Sequence, residues 1–577
     1  MSDYKEIYER WLTSDVVDED TKKDLSEISG NEKEIEERFY RELEFGTAGM
    51  RGILGAGTNR MNIYNVRRAT MGVLKRVQML GEEAMKKGVL IGYDTRNFSD
   101  TFARETACVL AAGGVRAYLY DCVHSVPEVS FGIRELGCSL GVVITASHNP
   151  KEYNGYKVYG PDGGQLPPDA AEIVIDAINE CDVFDDVITM PFDKAKEDGL
   201  IEIVGKELDE KFLTAISTQQ LNPDAVKAVS ESFKLIYTPL HGTGSRPVQA
   251  ILKRIGFENV IVVKEQDTED GNFPTVKSPN PEEKDSFNIA VKMAKENDVD
   301  LIIGTDPDCD RVGVVVRDAN GEYRVLTGNQ TGALMLEYIL SQKKEQGTLK
   351  DNSIVIKTIV TTELATAITK AYDVEILDVL TGFKYIGEKM TEYEKTGSHS
   401  YVFGFEESYG SLAGTHARDK DGVVATMLIC EMAAFYKTKN MSLYEAMQEI
   451  YKKYGYYCEK TVSFTMPGKD GMEEMAKLLK GLRTNPLTRV YNMDIISVTD
   501  YLAQTITTDN NTSTFDNLPK SDVLKYNLSD NKSSFIIRPS GTEPKIKFYM
   551  ASSADDYKTA EKTVENMLDD IKKQLNL

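Results

Sequence analysis

Three aspartates stand at alternate positions directly after an apolar run at residues 301–304 that is typical of a buried strand. They are Asp306, Asp308 and Asp310. Pro307 prevents a helix, so the carboxylates share one side of an extended loop and repel one another unless a hard cation neutralises them. Oxygen ligands of this kind suit Mg²⁺. An EF-hand is excluded because Arg311 and Arg317 stand where its loop needs glycine and glutamate. A solvated acidic turn is the alternative that we favour less.

A serine and a histidine follow another candidate strand, in the segment VVITASHNP. Its Asn-Pro step turns the chain away from a helix, which leaves Ser147 at the tip of a loop with His148 beside it. A cation, Lys157, and two glycine-containing turns come just downstream. An ordinary Asn-Pro turn is the competing interpretation, and the downstream residues weaken it.

Cations and hydroxyl groups are concentrated near the C-terminal end, in the segment IRPSGTEPKIK. Arg538 can fork toward phosphate oxygens, to which the backbone N–H groups of Gly541 and Thr542 can donate, and Ser540 adds a hydroxyl. The GxxxxGK[ST] pattern of a P-loop does not occur in the sequence. The segment is therefore a phosphate cradle of another kind or a cationic surface turn, and taken alone it supports both interpretations equally.

Three further loops combine glycines with polar side chains. In FGFEESYG, Glu406 and Ser408 can exchange hydrogen bonds with sugar hydroxyls, and HARDKDG follows with Lys420. Upstream, the segment FGTAGMRG contributes Arg51. The third element contains Gly382, Phe383 and Lys384. Each of these loops, considered in isolation, is also compatible with a plain polar turn.

The chain has 577 residues and a formal net charge of −23, since 68 Lys and Arg face 91 Asp and Glu. At roughly 150 residues per domain, the length suggests about four domains. The acidic balance argues against a nucleic-acid-binding protein and against docking on an anionic membrane surface. The sequence shows no signal-peptide pattern, no long apolar stretch and no CxxC pair. We therefore expect a soluble, cytoplasmic protein.

Three stretches repeat the order strand, loop, helix, strand, and they begin near residues 89, 234 and 353. This order predicts at least three α/β modules with partly parallel sheets. In the last stretch amphipathic helices flank short strands, which predicts a smaller α+β domain with a polar loop at 507–517. We place the four domains at residues 1–205, 206–326, 327–450 and 451–577.

Five segments in chain order resemble the motifs of the α-D-phosphohexomutase superfamily, which includes phosphoglucomutases and phosphomannomutases. They are FGTAGMRG, TASHNP, GTDPDCDR, GFEESYG and RPSGTEPKIKFY. The resemblance covers nearly the whole chain and implies three related α/β domains with mixed sheets plus a C-terminal α+β domain around a central cleft. With its FGTAGMRG opening, the sequence is most similar to the branch that contains bacterial α-phosphoglucomutases and phosphopentomutases.

The resemblance also implies roles for individual residues. Ser147 matches the serine that is phosphorylated in the active enzymes, and with Asp306, Asp308 and Asp310 it would hold Mg²⁺. The residues expected near the phosphate or in proton transfer are Arg51, His148, Lys157, Arg311 and Lys420. Those expected to bind the sugar and its non-reacting phosphate are Gly382, Phe383, Lys384, Glu406, Ser408, Arg538, Ser540, Gly541 and Thr542.

The activity that the resemblance implies interconverts glucose 1-phosphate and glucose 6-phosphate through a phosphoserine, with Mg²⁺ as cofactor and glucose 1,6-bisphosphate as intermediate and activator. A phosphopentomutase acting on ribose or deoxyribose phosphates and a phosphomannomutase are the alternatives. A Mg²⁺ phosphatase and a non-catalytic sugar-phosphate-binding protein are the rival classes. The retained Glu406-Glu407-Ser408 favours glucose over mannose, although Phe405 replaces a glycine of many glucose-type members. As partners we expect small sugar phosphates only, with a monomer or dimer as the assembly.

Overall fold

The structure is a computed structural model that describes residues 4–46, 49–465, 468–508, 511–539 and 545–577, without the side chains of 468–472. Backbone contacts divide the chain into two compact units. The first unit runs up to Gly328 and includes Ile386–Gly404 and Ser408–Ser442. The second unit contains Asn329–Tyr385, Phe405–Glu407 and Leu443–Leu577.

A seven-stranded mixed sheet forms the first part of the first unit, with strand order β1-β2-β6-β5-β3-β4-β7. Its strands are β1 (Phe45–Gly46), β2 (Gly49–Ile53), β3 (Val89–Tyr93), β4 (Ala117–Tyr120), β5 (Leu140–Ile144), β6 (Tyr153–Tyr159) and β7 (Ile201–Val204). The helices of this region are α1 (Tyr4–Thr13), α2 (Glu19–Glu27), α3 (Glu32–Phe39), α4 (Ile63–Met79), α5 (Glu82–Lys87), α6 (Ser99–Ala112), α7 (Val126–Leu136), α8 (Pro168–Glu180) and α9 (Phe192–Glu197).

The sheet places two loops at the same edge. β3 and β5 are parallel neighbours with Tyr93 opposite Ile144, so the chain leaves both strands on one side. Both strands are continuous apolar runs because each is covered by helices on its two faces. The Ser147 loop therefore begins directly beside the loop that starts at Asp94.

A second, five-stranded sheet follows with the order β12-β11-β10-β8-β9. Its strands are β8 (Leu235–Thr238), β9 (Val260–Val262), β10 (Leu301–Thr305), β11 (Val312–Arg317) and β12 (Tyr323–Val325), and its helices are α10 (Lys206–Ser217), α11 (Pro223–Val229), α12 (Ser245–Arg254) and α13 (Asn288–Asn297). β10 is parallel to β8 but antiparallel to β11, with Thr305 opposite Val312. This tight return folds the three aspartates into one short loop.

The third stretch of the chain alternates helices and strands and contributes to both units. Its elements are α14 (Gly328–Glu345), β13 (Ser353–Thr358), α15 (Leu364–Ala371), β14 (Glu375–Val379), α16 (Phe383–Thr396), β15 (Ser400–Phe405), β16 (Ser411–Ala413), α17 (Gly422–Thr438) and α18 (Leu443–Tyr454). Within the second unit, β13 and β14 pair in parallel, with Ile356 opposite Leu377. Within the first unit, α17 begins at Asp421, whose carboxylate accepts hydrogen bonds from the N–H groups of Val423 and Val424.

The C-terminal stretch forms a mostly antiparallel sheet with the order β17-β24-β23-β22-β19-β20-β21, and β18 pairs with β19. Its elements are β17 (Tyr456–Thr465), α19 (Gly468–Thr484), β18 (Arg489–Val490), β19 (Met493–Asp500), β20 (Thr505–Thr508), β21 (Asn511–Thr514), β22 (Leu524–Leu528), β23 (Ser533–Pro539), β24 (Lys545–Ala554) and α20 (Tyr557–Leu575). Helices and strands of this stretch share one core, which includes Phe535, Phe548 and Met567.

The polar loop expected at 507–517 is wrong, because β20 and β21 pair there as an antiparallel edge hairpin. Thr507 lies opposite Thr512, and their hydroxyl groups are 3.1 Å apart. Strand pairing satisfies the backbone N–H and C=O groups without apolar side chains, and β-branched threonine suits an exposed edge. None of the helices within the described ranges is both long and apolar enough to cross a membrane.

A buried ion pair connects α10 to the segment before α7 in the first unit. His124 is 2% exposed, and its Nε2 lies 2.9 Å from Asp209 Oδ1. Its Nδ1 lies 2.8 Å from the carbonyl oxygen of Cys122. Burial disfavours the imidazolium, but the hydrogen bond to Asp209 and the charge of Glu128 outweigh it and raise the pKa of His124 to about 10. His124 is therefore charged at neutral pH.

This pair predicts a specific pH dependence of stability. Because the folded pKa lies above the ordinary value of about 6.5, the pair stabilises the fold fully below pH ~6.5 and loses that effect as pH rises through about 10. Between those limits the melting temperature of the natural protein should fall more steeply than that of His124→Gln. Asp209→Asn should behave like His124→Gln. Parallel melting curves for all three proteins across this range would contradict the assignment.

Candidate active site

Ser147 lies in the loop between β5 and β6, directly against the aspartate loop. Its side chain is buried, and its Oγ donates a hydrogen bond of 2.8 Å to Asp306 Oδ2 and lies 3.2 Å from His148 Nδ1. The backbone of Ser147 has φ +52°, a left-handed conformation that is costly for a residue with a side chain. Its N–H donates to Thr145 Oγ1 at 2.8 Å, which helps to hold this turn. The strained turn directs the hydroxyl at the acidic loop.

The three aspartates are fully buried, and one oxygen from each lies within 4.8 Å of the others. Asp306 Oδ1 accepts backbone hydrogen bonds from Asp310 (3.1 Å) and Arg311 (3.0 Å). Asp308 Oδ1 and Asp310 Oδ1 are buried with no hydrogen-bond partner among the described residues. Burial and then the charges of Asp308 and Asp310 raise the pKa of Asp306 well above its usual value. Orphaned carboxylate oxygens in a repulsive cluster fit a hard divalent cation.

Two buried lysines from distant parts of the chain reach the same carboxylates. Lys157 Nζ, from β6, lies 3.1 Å from Asp308 Oδ2, and Lys420 Nζ, from the loop before α17, contacts Asp310 Oδ2. Although burial opposes it, the charge of Lys157 and then that of Lys420 lower the pKa of Asp308. Each lysine is thus placed to compensate a carboxylate and to exchange a proton at the edge of the cluster.

Asp419 holds the Lys420 loop in place. It is fully buried, and its Oδ2 accepts hydrogen bonds from the Tyr159 hydroxyl (2.9 Å) and from Gln165 Nε2 (3.0 Å). Its Oδ1 lies 3.6 Å from Lys420 Nζ. The position of Lys420 therefore depends on the strand that also carries Lys157, since Tyr159 ends β6.

Two arginines add positive charge around Ser147. Arg51, on β2, donates to Asn149 Oδ1 at 3.1 Å, and Arg311 Nη1 lies 2.5 Å from Glu282 Oε1. Burial, followed by the charges of Arg311 and Arg51, lowers the pKa of His148 well below its usual value, so His148 is neutral. The surroundings of Ser147 thus combine cationic groups with a neutral imidazole, which suits a bound phosphate group.

In the second unit, the sugar-loop residues and the cationic strand are close enough to affect each other. Glu406 Oε1 accepts a 3.0 Å hydrogen bond from the N–H of Gly382, and Arg538 Nη1 donates to the Tyr549 hydroxyl at 3.2 Å. Burial and then the charge of Glu406 raise the pKa of Glu407 to about 7, and the charges of Arg538 and Lys547 oppose this rise. Glu407 thus carries a proton near neutral pH.

The remaining predicted ligands lie on either side of these groups. Phe383 is buried at the start of α16, and Lys384 Nζ lies 5.2 Å from the centre of the Tyr385 ring. Ser408 is half-buried and belongs to the first unit. Ser540, Gly541 and Thr542 lie outside the described residues.

Phe405, the departure from many glucose-type sequences, fits a glycine on α14. A Cβ at Gly332 would lie 2.1 Å from Phe405 Cδ2, so the ring occupies the space that a side chain at position 332 would need. Phe405 is 1% exposed, which places it in the core beneath Glu406. The substitution changes the support of the sugar loop and leaves Glu406 in place.

Sequence reasoning missed three side chains that support these groups: Arg96, Glu407 and Asp419. Arg96 and its neighbour Asp94 follow β3, and polar residues after parallel strands are a known signal for a site. Asp419 directly precedes the predicted Lys420, and Glu407 directly follows Glu406. Adjacency in sequence was available for both, but only the fold shows which groups they contact.

Comparison with protein families agrees with this arrangement. Three models match the chain in order: phosphoglucomutase/phosphomannomutase alpha/beta/alpha domain I at residues 42–183, domain II at 210–321 and domain III at 327–454. The expected fold class, three α/β domains with mixed sheets followed by a C-terminal α+β domain, is confirmed by these matches and by the observed sheets.

Individual relatives cover almost all of the chain. A phosphoglucomutase of Staphylococcus haemolyticus is 36% identical over 92% of this chain and 94% of its own length. One of Staphylococcus saprophyticus is 34% identical over 95% of this chain and 96% of its own. A crystal structure of a phosphomannomutase from Thermus thermophilus, 20% identical, matches the fold with a TM-score of 0.69 over 93% of this chain and all of that one. The chain therefore belongs to the phosphoglucomutase/phosphomannomutase family of the α-D-phosphohexomutase superfamily.

Proposed function

We propose that this protein is a phosphoglucomutase, which interconverts glucose 1-phosphate and glucose 6-phosphate through phosphorylated Ser147 and glucose 1,6-bisphosphate. The observation that carries the proposal is the 2.8 Å hydrogen bond from Ser147 Oγ to Asp306, inside a cluster of three buried carboxylates. Relatives that match over most of the chain are named phosphoglucomutases, which does not favour the pentose or mannose alternatives.

The acidic cluster is the proposed Mg²⁺ site. Asp306, Asp308 and Asp310 would hold the ion together with an oxygen at Ser147, as the two orphaned carboxylate oxygens suggest. When bound, Mg²⁺ supplies positive charge at the oxygens of a transferring phosphoryl group. The carboxylates themselves fix the hydroxyl of Ser147 in position.

The cationic residues stabilise charge and move the proton. A phosphoserine carries about −1.5 to −2 charges, and a substrate phosphate adds a similar charge. Arg51 and Arg311 are proposed to bind the phosphate at Ser147, with His148 beside it as a neutral neighbour. Lys157 and Lys420 are the candidates for accepting the proton of the attacking sugar hydroxyl, since both are buried at the carboxylates.

The second set of residues is proposed to hold the rest of the substrate. Glu406, Ser408 and the segment Gly382, Phe383 and Lys384 would bind the sugar. Arg538, Ser540, Gly541 and Thr542 would bind the non-reacting phosphate. Because glucose 1,6-bisphosphate has a phosphate at each end, this cradle can hold either one while the other faces Ser147.

We also propose the domain division made from the sequence, at 1–205, 206–326, 327–450 and 451–577. Each domain then contributes one element: the phosphoserine loop, the metal loop, the sugar loop and the phosphate cradle. The partners are small sugar phosphates, and the enzyme acts in the cytoplasm as a monomer or dimer.

The proposed reaction is tested with the purified protein, Mg²⁺, glucose 1-phosphate and catalytic glucose 1,6-bisphosphate. Glucose 6-phosphate should accumulate, and Ser147→Ala should reduce its rate by at least about a thousandfold while the melting temperature stays unchanged, because the nucleophile is lost. Release of inorganic phosphate would indicate the phosphatase instead. Parallel rates with mannose 1-phosphate and ribose 1-phosphate should be lower than with glucose 1-phosphate.

The metal site is tested by Asp310→Asn, which removes one of the three charges and one of the orphaned oxygens. Its Mg²⁺ affinity, measured by calorimetry, should fall by more than about tenfold, and activity should require correspondingly more Mg²⁺. Asp318→Asn is the matched control, since Asp318 is a buried acid that holds a turn after β11 through the N–H groups of Asn320 and Glu322. Equal Mg²⁺ affinity in both variants would rule out the proposed ligands.

Glu407 predicts a pH-dependent Michaelis constant. Its raised pKa of about 7 means that it is neutral below this pH and negative above it, where its charge opposes the binding of a phosphate near Arg538. KM for glucose 1-phosphate should therefore rise several-fold more between pH 6 and pH 8 in the natural protein than in Glu407→Gln.

The control for Glu407 is Glu459→Gln. Burial likewise raises the pKa of Glu459 to about 7, but this group hydrogen-bonds Thr362 and has Glu363 and Lys357 as its charged neighbours. It should keep the pH dependence of the natural protein. The Glu407 assignment fails if Glu407→Gln also keeps it.

A further inference from the structure

One arginine binds nearly the whole backbone of the Ser147 loop. Arg96 Nη1 donates to the carbonyl oxygens of Pro150 and Tyr153, at 2.9 Å each. Arg96 Nη2 donates to those of Ser147, at 2.5 Å, and Asn149, at a still shorter distance. A single guanidinium group therefore ties together four carbonyls between Ser147 and Tyr153.

Arg96 is itself held from below and from the side. Its side chain is almost fully buried, and Asp94 Oδ1 accepts its backbone N–H at 2.9 Å, while Asp94 Oδ2 lies 3.4 Å from Nε. Asp94 Oδ1 also accepts the Ser99 hydroxyl at 2.8 Å. The guanidinium is thus oriented by a carboxylate that is fixed at the end of β3.

A loop of the second sheet region braces the other face. The ring of Phe273 lies over the guanidinium, with its centre 5.0 Å from Arg96 Cζ. Nearby, a Cβ at Gly271 would lie 2.4 Å from the backbone nitrogen of Asn97, so the two loops approach closely enough to require glycine. Through Arg96, the region that carries the aspartates also supports the loop that carries the serine.

The four carbonyls explain why an arginine is needed here. Buried backbone carbonyls that lack partners are costly, and the left-handed turn at Ser147 adds strain that its surroundings must hold. A guanidinium presents five donors in a rigid plane, whereas a lysine ammonium presents three from one atom. Lysine would keep the charge but could not span Ser147, Asn149, Pro150 and Tyr153.

We propose that Arg96 is a positioning residue for phosphoryl transfer, which sets the backbone of residues 147–153 so that Ser147 Oγ faces the metal-binding carboxylates. The inference rests on the proposed role of Ser147. Arg96 touches neither the substrate nor the reacting atoms, so its effect falls on the rate of the chemical step more than on substrate binding.

The test compares Arg96→Lys with Arg68→Lys. Arg68 is a buried arginine of the same region that donates from Nε to the carbonyl oxygens of Ile178 (3.1 Å) and Cys181 (2.7 Å), remote in sequence from the Ser147 loop. For Arg96→Lys, kcat and the rate of Ser147 phosphorylation by glucose 1,6-bisphosphate, followed by intact mass, should fall by roughly a hundredfold. KM for glucose 1-phosphate should change by less than about threefold. Arg68→Lys should lower the melting temperature and leave both rates within about twofold of the natural protein.

Hydrogen exchange gives a readout that does not depend on activity. Exchange in the peptide that covers 147–153 should be faster in Arg96→Lys and unchanged in Arg68→Lys. Phe273→Leu, a milder change at the bracing ring, should accelerate the same exchange and lower kcat to a smaller extent, and it serves if Arg96→Lys does not fold.

The outcomes separate the inference from the proposed function. Unchanged kcat and unchanged exchange at 147–153 in Arg96→Lys overturn the inference, as does a loss of kcat that Arg68→Lys reproduces. If the natural protein takes up no phosphate at Ser147, the proposed function is wrong. In that case the exchange measurement still decides whether Arg96 holds the loop.

Discussion

The mutual repulsion of three buried carboxylates is the constraint on which the rest of the site depends. Asp306, Asp308 and Asp310 are packed into the return between β10 and β11, where water cannot screen their charges. Compensation comes from backbone N–H groups and from Lys157 and Lys420, and it leaves two carboxylate oxygens without partners among the described residues. The elements of the first unit are arranged to bring these positive groups to one loop, and the remaining oxygens define where a cation fits.

The same balance applies to the substrate. A protein with a net charge of −23 repels dianionic sugar phosphates at long range, so attraction has to be local. Near Ser147 it comes from Arg51, Arg311 and the lysines, while a neutral His148 adds no negative charge. In the second unit, the raised pKa of Glu407 limits the negative charge beside Arg538 near neutral pH. Both units thus reduce negative charge where phosphate is proposed to bind.

Rigid support accompanies these charges. Ser147 occupies a strained left-handed turn, and Asp419 connects the Lys420 loop to Tyr159 at the end of β6. Phosphoryl transfer depends on positioning and electrostatics because the protein supplies little covalent chemistry. Buried hydrogen bonds to loop carbonyls and carboxylates provide such positioning at a fixed geometry, which solvent-exposed side chains would not.

The sequence by itself determined the chemistry of each loop, because the relevant residues are neighbours along the chain. The spacing of Asp306, Asp308 and Asp310 places them in one turn whatever surrounds it, and apolar runs followed by helices indicated the α/β order. Polar Thr505–Thr508 and Asn511–Thr514 gave no such signal, since edge pairing is driven by backbone hydrogen bonds. Only the tertiary structure decided that Lys157 and Lys420 meet at the same carboxylates and that Asp419 links Lys420 to Tyr159. Those contacts depend on strand order and on packing between distant segments, which no local pattern of residues encodes.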